Sequence, residues 1–391
     1  MKVSTLSAVS LVAISTVAAA NCGKGRTAAS GTCCVWYNVL DDIQANLFEG
    51  GICGEDAHDA LRLSFHDAIG YSPALTRQGK FGGGGADGSL IAFASTELTY
   101  ASNEGLDDIV HDEKRFADKW GVSYGDIVQF AAAVSVRNCA GGPRIPFLAG
   151  RPNATRAAPD GLVPHAADSV GKMLGRVGDA GLSGEELVDL MAAHSIGVQE
   201  HVDPTIEGMP FDSTPEIFDT NFYLETLLRG TLWPGSGPHP GQAESPFRGQ
   251  FRLQSDAALA RDPRTACHWQ SFVHDQPRMQ TRFAAAMAKM ALLGHAPAAL
   301  RALHDCSEVI PASTLPAPRA ARIPAGRGVV LEDKCPGGGG GGNGGGKGGK
   351  GGQFLKGLWD FMYGFCPLIR SGADESAYQR RQAVKASYIK L

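Results

Sequence analysis

Four residues within the stretch "LRLSFHDAIG" (Leu61–Gly70) carry side chains that a core helix rarely holds: Arg62, Phe65, His66 and Asp67. In a helix, positions four apart share a face, so Arg62 and His66 point the same way with Phe65 beside them. Asp67, one residue further on, turns about 100° away. A neutral imidazole can take up a proton, and a guanidinium steadies developing negative charge. Together they suit the splitting of a polar O–O bond, with His66 moving a proton between the two oxygens and Arg62 stabilising the departing oxyanion. The plainer alternative is a half-buried helix whose Arg and His cap its own end.

Asp67 opens a second constellation. Some twenty residues later comes "FGGGGADGSL" (Phe81–Leu90), where Gly85, Asp87 and Ser89 alternate along an extended loop. A backbone carbonyl, a carboxylate and a hydroxyl turned to one point with Asp67 make a hard oxygen cage suited to Ca²⁺. The loop lacks the GK[ST] ending of a phosphate loop, which argues against nucleotide binding. A second histidine, His194, sits near the end of "ELVDLMAAHSIG" and is followed by Ser195. The segment "FDSTPEIFD" (Phe211–Asp219) then offers Asp212, Thr214, Asp219 and the carbonyl of Ile217. Asp256 is an isolated acid able to accept a hydrogen bond from an imidazole, as residues behind metal-bound histidines do. A lone histidine on an apolar helix is usually a hydrogen-bonded core residue. Here two histidine helices each lead into an oxygen-rich loop, and that repetition points to built sites.

The elements that must hold these residues are mostly helical. Apolar residues recur at helical spacing in Val39–Phe48, in "EDAHDALRLSFHDA" (Glu55–Ala68), "YGDIVQFAAAVSVRN" (Tyr124–Asn138), "GEELVDLMAAHSIG" (Gly184–Gly197), "PEIFDTNFYLETLL" (Pro215–Leu228) and "TRFAAAMAKMALLG" (Thr281–Gly294). Ser183 and Glu186 form a capping-box pattern. Few stretches alternate with period two, so the fold class is mostly α, with long ordered loops that need bracing. The 391 residues suffice for one large or two ordinary domains, and a net charge of −4 without a basic stripe excludes a nucleic-acid binder.

Residues 1–20 read as a signal peptide: Lys2, the apolar run "LSAVSLVAISTV", then Ala18, Ala19 and Ala20 before Asn21. No later run is long and apolar enough to span a bilayer. Export suits the nine cysteines, which in an oxidising compartment form bridges. None has CxxC spacing. The odd count leaves one over, and Cys366 is the suspect because it lies beyond a linker. Asn153-Ala154-Thr155 is a glycosylation sequon. Residues 311–335 read as an extended arm, 336–352 as a glycine-rich linker, and 353–391 as a tail of unknown role.

Taken together, "RLSFHDAIG", "GGGGADGS", "AAHSIG", "FDSTP" and "ARDPRTACHWQSF" closely resemble the secreted fungal haem peroxidases of class II, the group of lignin, manganese, versatile and generic low-potential peroxidases. The resemblance runs from about Cys22 to Cys335. It implies a haem-peroxidase fold with a distal half (21–165) and a proximal half (166–310) sandwiching haem b. It makes His194 the axial iron ligand, with Asp256 as its hydrogen-bonded partner and Phe211 packed nearby. On the distal side it makes His66 the acid/base and Arg62 the oxyanion stabiliser. Asn103 fixes the His66 tautomer, Glu97 joins that network, and Phe65 covers the haem plane. Two structural Ca²⁺ ions follow: a distal one on Asp67, Gly85, Asp87 and Ser89, and a proximal one on Ser195, Asp212, Thr214, Ile217 and Asp219. The implied bridges are Cys22–Cys34, Cys33–Cys306, Cys53–Cys139 and Cys267–Cys335, which leave Cys366 over.

The implied reaction reduces H2O2 to water at the expense of two one-electron donors, in a monomeric extracellular enzyme of lignin degradation. Small phenols and other aromatics are the expected donors, at the haem edge. In lignin and versatile types a surface tryptophan lies five residues before the axial histidine; here that position is Asp189, which disfavours that route. The remaining tryptophans, Trp36, Trp120, Trp233 and Trp269, read as packing residues, and Trp359 lies outside the domain. Manganese types use three carboxylates, matched here by Glu55, Asp59 and Glu200. Those three suit hard octahedral Mn²⁺ or form a solvated acidic face, and their altered side-chain lengths leave both readings open. A secreted haem- or calcium-binding protein without turnover is the rival reading, disfavoured because it would not need Arg62, His66 and Asn103 together.

Overall fold

Two helix clusters, each carrying one of the two histidines, dominate the architecture. The structure is a computed structural model and describes residues 19–312, 321–323, 328–332 and 335. All of them fall in the unit Met1–Pro336. In the first cluster the Glu55–Ala68 helix begins after Gly54, with Glu55 and Asp56 in the first turn, where the helix dipole favours negative charge. It packs chiefly on the Tyr124–Asn138 helix, where every residue from Gly125 to Val136 is buried. The alanines Ala131–Ala133 let the two helices approach closely. Ser123 caps that second helix by accepting a hydrogen bond from Asp126 N at 3.2 Å. A third helix, Asp107–Trp120, packs against both.

In the second cluster the Gly184–Leu190 helix starts from the reciprocal capping box of Ser183 and Glu186. It packs on the Gln276–Met290, Val170–Ala180 and Ala266–Gln270 helices. Its last turns tighten into a 3-10 helix over Met191–Ile196, which carries His194 and stops where Gly197 becomes extended. Among the described residues the strands form four two-stranded antiparallel pairs, each joining loop segments rather than building a larger sheet. Phe222, Tyr223 and Trp269 fill the core of this cluster, and Trp36, Phe130 and Phe147 that of the first.

Among the described residues four disulfides brace the loops: Cys22–Cys34, Cys33–Cys306, Cys53–Cys139 and Cys267–Cys335, the same pairs that the resemblance implies. In the arm, Arg322 N donates to Asn221 Oδ1, Leu331 bridges to Leu228, and Glu332 pairs with Arg229 and Arg261. The expected signal peptide (except Ala19 and Ala20), the glycine-rich linker, the tail, Trp359 and Cys366 lie outside the described residues. No helix among the described residues is long and apolar enough to cross a membrane.

Two expectations need correction. The stretch Pro215–Leu228 is helical only over Asn221–Thr226. The Asp212 and Asp219 carboxylates accept hydrogen bonds from Thr214 N and Asn221 N, at 2.8 Å each, so local side-chain turns replace the first half of the helix. Trp36 and Trp269 are fully buried, as expected of packing residues, but Trp233 is 38% exposed.

Candidate active site

One cavity of about 750 Å³ lies where both clusters meet, and its lining includes His66, Arg62, Phe65, His194 and Phe211. That volume falls in the range of cofactor pockets. The Glu55–Ala68 helix supplies Arg62, Phe65 and His66 from one face, as the spacing predicts.

His66 Nδ1 lies 2.9 Å from Asn103 Oδ1, and Asn103 Nδ2 donates to the Glu97 carbonyl at 2.9 Å. Because the amide nitrogen is committed to a carbonyl, its oxygen must accept, so His66 carries its proton on Nδ1 and presents a lone pair on Nε2. Burial first, then the nearby Arg62 charge, lowers the His66 pKa to about 3, against a raising effect from Asn103. The ring is therefore neutral above about pH 3, with the Nε2 lone pair open to a proton. Glu97 joins through its main chain; its carboxylate instead accepts from Ala158 N at 2.9 Å. Arg62 Nη2 donates to the Glu104 carbonyl at 2.8 Å. Its Nη1 stands 3.9 Å from Glu200 Oε2 and, among the described residues, makes no hydrogen bond.

His194 Nδ1 lies 3.0 Å from Asp256 Oδ2, and Asp256 is buried. The Phe211 and Phe222 rings pack on the imidazole at centroid distances of 5.0 and 5.6 Å. The carboxylate holds the Nδ1 proton and leaves Nε2 free as a metal ligand. A porphyrin iron fits these residues: an apolar cavity, one imidazole oriented by a carboxylate, and a second imidazole with a guanidinium alongside.

The two loops fit hard cations less completely but in the same sense. Asp67 accepts from Gly88 N at 2.9 Å and, weakly, from Leu90 N at 3.4 Å. Burial, then repulsion from Asp87, raises its pKa well above normal, and burial raises that of Asp87 to about 6. A Cβ on Gly84 would overlap Asp87 Oδ2, so the glycine run admits that carboxylate. In the second loop Asp212, Thr214 and Asp219 are hydrogen-bonded to one another through the Thr214 hydroxyl and amide. The buried Asp212 Oδ2 has no hydrogen-bond partner among the described residues, an acceptor a cation would satisfy. Ser195 is buried with its hydroxyl donating to Ala192 O at 2.8 Å. Ile217 N donates to Thr214 O at 2.9 Å within the same loop.

The carboxylates expected for Mn²⁺ are neighbours but not an assembled site. Asp59 and Glu200 line the cavity and Glu55 does not. Burial, then Glu200, raises the Asp59 pKa to about 8, and Glu55 adds to the repulsion on both. Among the described residues no three His, Cys, Asp or Glu side chains stand close enough to hold an ion by themselves. Asp189, at the position of the family's surface tryptophan, is buried and lies 2.6 Å from His268 Nε2 and 3.1 Å from Arg282 Nε. The sequence reading missed Glu104, whose carbonyl receives Arg62, and His201, 3.3 Å from Glu200. A backbone acceptor leaves no residue-type signal.

Comparison with known proteins gives the family. The family model described as Peroxidase matches residues 39–275, and that of the fungal peroxidase extension region matches 278–337. The chain belongs to the peroxidase family and is a haem peroxidase of the fungal class II group. Among its relatives, versatile peroxidase VPS1 of Pleurotus eryngii is 53% identical over 307 residues, covering 78% of this chain and 82% of the relative. Manganese peroxidase 3 of Phlebia radiata is 49% identical over 328 residues, covering 82% and 89%. Ligninase H2 of Phanerodontia chrysosporium is 54% identical over 288 residues, covering 73% and 77%.

Proposed function

We propose that this peroxidase is a secreted, monomeric enzyme that binds haem b and two Ca²⁺ ions, reduces H2O2 to water, and oxidises small phenolic and aromatic donors at the cavity opening. Mn²⁺ is a second donor. The observation that carries the reading is the common cavity lined by His66, Arg62 and His194. Bound haem supplies the redox-active iron that exchanges electrons with peroxide and donors. His194 Nε2 would be the ligand for that iron, and Asp256 accepts a hydrogen bond from Nδ1–H and keeps the ring oriented. The His66 Nε2 lone pair would take the proton from one peroxide oxygen and return it to the other as the O–O bond breaks, so that one oxygen departs as water; two donor electrons and two protons then release the second oxygen as water. Asn103 preserves the tautomer that this shuttle needs. Arg62 stabilises negative charge on the departing oxygen, and Phe65 restricts access to the reacting face.

The distal cation belongs on Asp67, Gly85, Asp87 and Ser89, and the proximal one on Ser195, Asp212, Thr214, Ile217 and Asp219. Asp67 directly follows His66 and Ser195 directly follows His194, so each ion would fix one histidine. Glu55, Asp59 and Glu200 are the proposed Mn²⁺ contacts, with the remaining ligands to come from water and the bound haem. Residues 1–20 direct export, Asn153 carries glycan, and the chain divides into halves at about residue 165. Asn153 is exposed, and its Oδ1 accepts from Tyr124 N while Nδ2 stays available for the sugar.

A Soret band in the purified protein and rapid reaction with H2O2 on stopped-flow mixing are the expected results. A calcium-binding module would lack the band, and a passive haem carrier would show the band without the reaction. For the metal donor, the Glu55→Ala, Asp59→Ala double variant should lose steady-state Mn²⁺ oxidation but keep phenol oxidation. Equal Mn²⁺ oxidation in variant and wild type would remove that site.

A further inference from the structure

Three consecutive residues touch three different charged or basic partners. Asn103 Oδ1 accepts a hydrogen bond from His66 Nδ1, and the Glu104 carbonyl accepts one from Arg62. Gly105, with φ of +78°, has no side chain where a Cβ would overlap His201 Nε2 and come within 3.3 Å of Glu200 Oε2. The tripeptide therefore gathers the base, the cation and an acid that the reaction chemistry of the cavity does not itself require. Arg62 is the member with a free hand. Its Nη2 is committed to Glu104, while its buried Nη1 lies within ion-pair range of Glu200 but forms no hydrogen bond among the described residues. A guanidinium with an uncommitted donor and a nearby counter-charge is divided between two calls on it: Glu200 and an anion in the cavity.

We propose that Glu200 is a positioning residue that restrains the Arg62 guanidinium, and that neutralising Glu200, by a divalent cation or by substitution, releases Arg62 to stabilise an anion in the cavity. Occupation of the donor-metal site and anion binding beside the iron are then coupled through a single ion pair. The coupling is reciprocal: whatever factor the cation adds to anion affinity, the anion adds to cation affinity. The cation arm rests on the Mn²⁺ reading above; the substitution arm does not.

The test uses fluoride as a small anionic probe, titrated against the ferric haem-loaded protein at one pH and followed by absorbance. Glu200→Gln should tighten fluoride binding by about fivefold or more. Glu200→Asp, which keeps the charge but shortens the side chain that reaches to 3.9 Å from Arg62, should tighten fluoride less than Glu200→Gln. In an Arg62→Ala background the Glu200→Gln effect should vanish, which a double-mutant cycle measures directly. Saturating Mn²⁺, with binding followed by loss of the free-ion EPR signal, should tighten fluoride in the wild type by a similar factor. The proposal is overturned if Glu200→Gln leaves fluoride affinity unchanged, or tightens it equally without Arg62, since that would be a diffuse charge effect. It is also overturned if Mn²⁺ binds and fluoride affinity does not move. Mn²⁺ that fails to bind sinks the donor-metal reading instead, and the Glu200→Gln cycle still decides the role of Glu200.

Discussion

The two cavity histidines use the same ring atom in opposite ways. His66 Nδ1 meets the neutral carboxamide of Asn103 at 2.9 Å, and His194 Nδ1 meets the carboxylate of Asp256 at 3.0 Å. An amide fixes the tautomer and adds little charge, so the ring stays a neutral base whose proton affinity is set by burial and by Arg62. A carboxylate adds full negative charge behind the ring, enriching the far nitrogen as a ligand. One partner suits the ring to carry a proton and the other suits it to donate to a metal. The helices differ to match: His66 lies in regular α-helix, His194 in a tightened 3-10 turn that ends at Gly197.

The largest break in this comparison is His66→Ala. Peroxide cleavage, measured by stopped flow, should fall by about 10² to 10⁴, while the Soret band persists because His194 is untouched. Fast cleavage in that variant would remove the proton-carrier role from His66.

Exchanging the partners sharpens the contrast. Asp256→Asn should weaken donation through His194 and cost about 10- to 100-fold in activity, with a shift of the iron reduction potential to more positive values. Asn103→Asp should do the reverse on the other side. A neighbouring carboxylate favours the imidazolium, so the acid limb of peroxide cleavage should rise from its wild-type position, set by a His66 pKa of about 3. The sign is fixed: a raised pKa keeps His66 protonated, and inactive as a base, to higher pH. An acid limb that does not move would show that the distal partner sets geometry alone.

The same symmetry extends to the proposed cation sites, since each set of ligands starts one residue beyond a histidine. Chelation should lower the melting temperature, with a stability loss of about 3 kcal/mol for an ion present at roughly 100 times its Kd. Ca²⁺ should restore it and Mg²⁺ should not, because the loops offer scattered carboxylate, hydroxyl and carbonyl oxygens rather than an octahedron. Asp87→Asn and Asp212→Asn should each abolish one of two release steps.

How much of this was legible in the sequence depended on whether the signal was local. The Glu55–Ala68 and Tyr124–Asn138 helices match the quoted stretches to the residue: the first opens with two acids after Gly54, and the second, buried all along Gly125–Val136, opens at the Ser123 cap. The Pro215–Leu228 stretch has the same periodicity but misleads, because Asp212 and Asp219 capture the backbone amides first. Both histidines and both loops were readable as residue types at spacing. The Arg62–Glu200 contact joins positions 138 residues apart (200 − 62), and the Asp189 contacts with His268 and Arg282 bring three helices together. Such pairs are fixed by tertiary packing, and no local pattern announces them.

The smallest expected effect concerns two buried acids, one in each cluster. Glu225 is buried, but Ser213 donates to it from both N and Oγ, at 3.0 and 2.5 Å. Glu113, on the Asp107–Trp120 helix, is buried with both carboxylate oxygens lacking hydrogen-bond partners among the described residues. Burial, reinforced by the Asp67 charge, pushes its pKa well above normal. A raised folded-state pKa has a definite consequence for stability. The penalty is absent below the unfolded carboxyl's range, near pH 4, and grows as pH rises toward the folded value, because only the unfolded chain releases the proton freely. Glu113→Gln should therefore stabilise the protein at pH 7 by about 1–3 kcal/mol and do little near pH 4. Glu225→Gln should change stability by less than about 1 kcal/mol, since burial raises the Glu225 pKa to about 7 and a glutamine can accept from Ser213 N while donating to Ser213 Oγ. Denaturant titrations of both variants at the two pH values check this, and a Glu113→Gln gain that persists at pH 4 would point to packing rather than proton release.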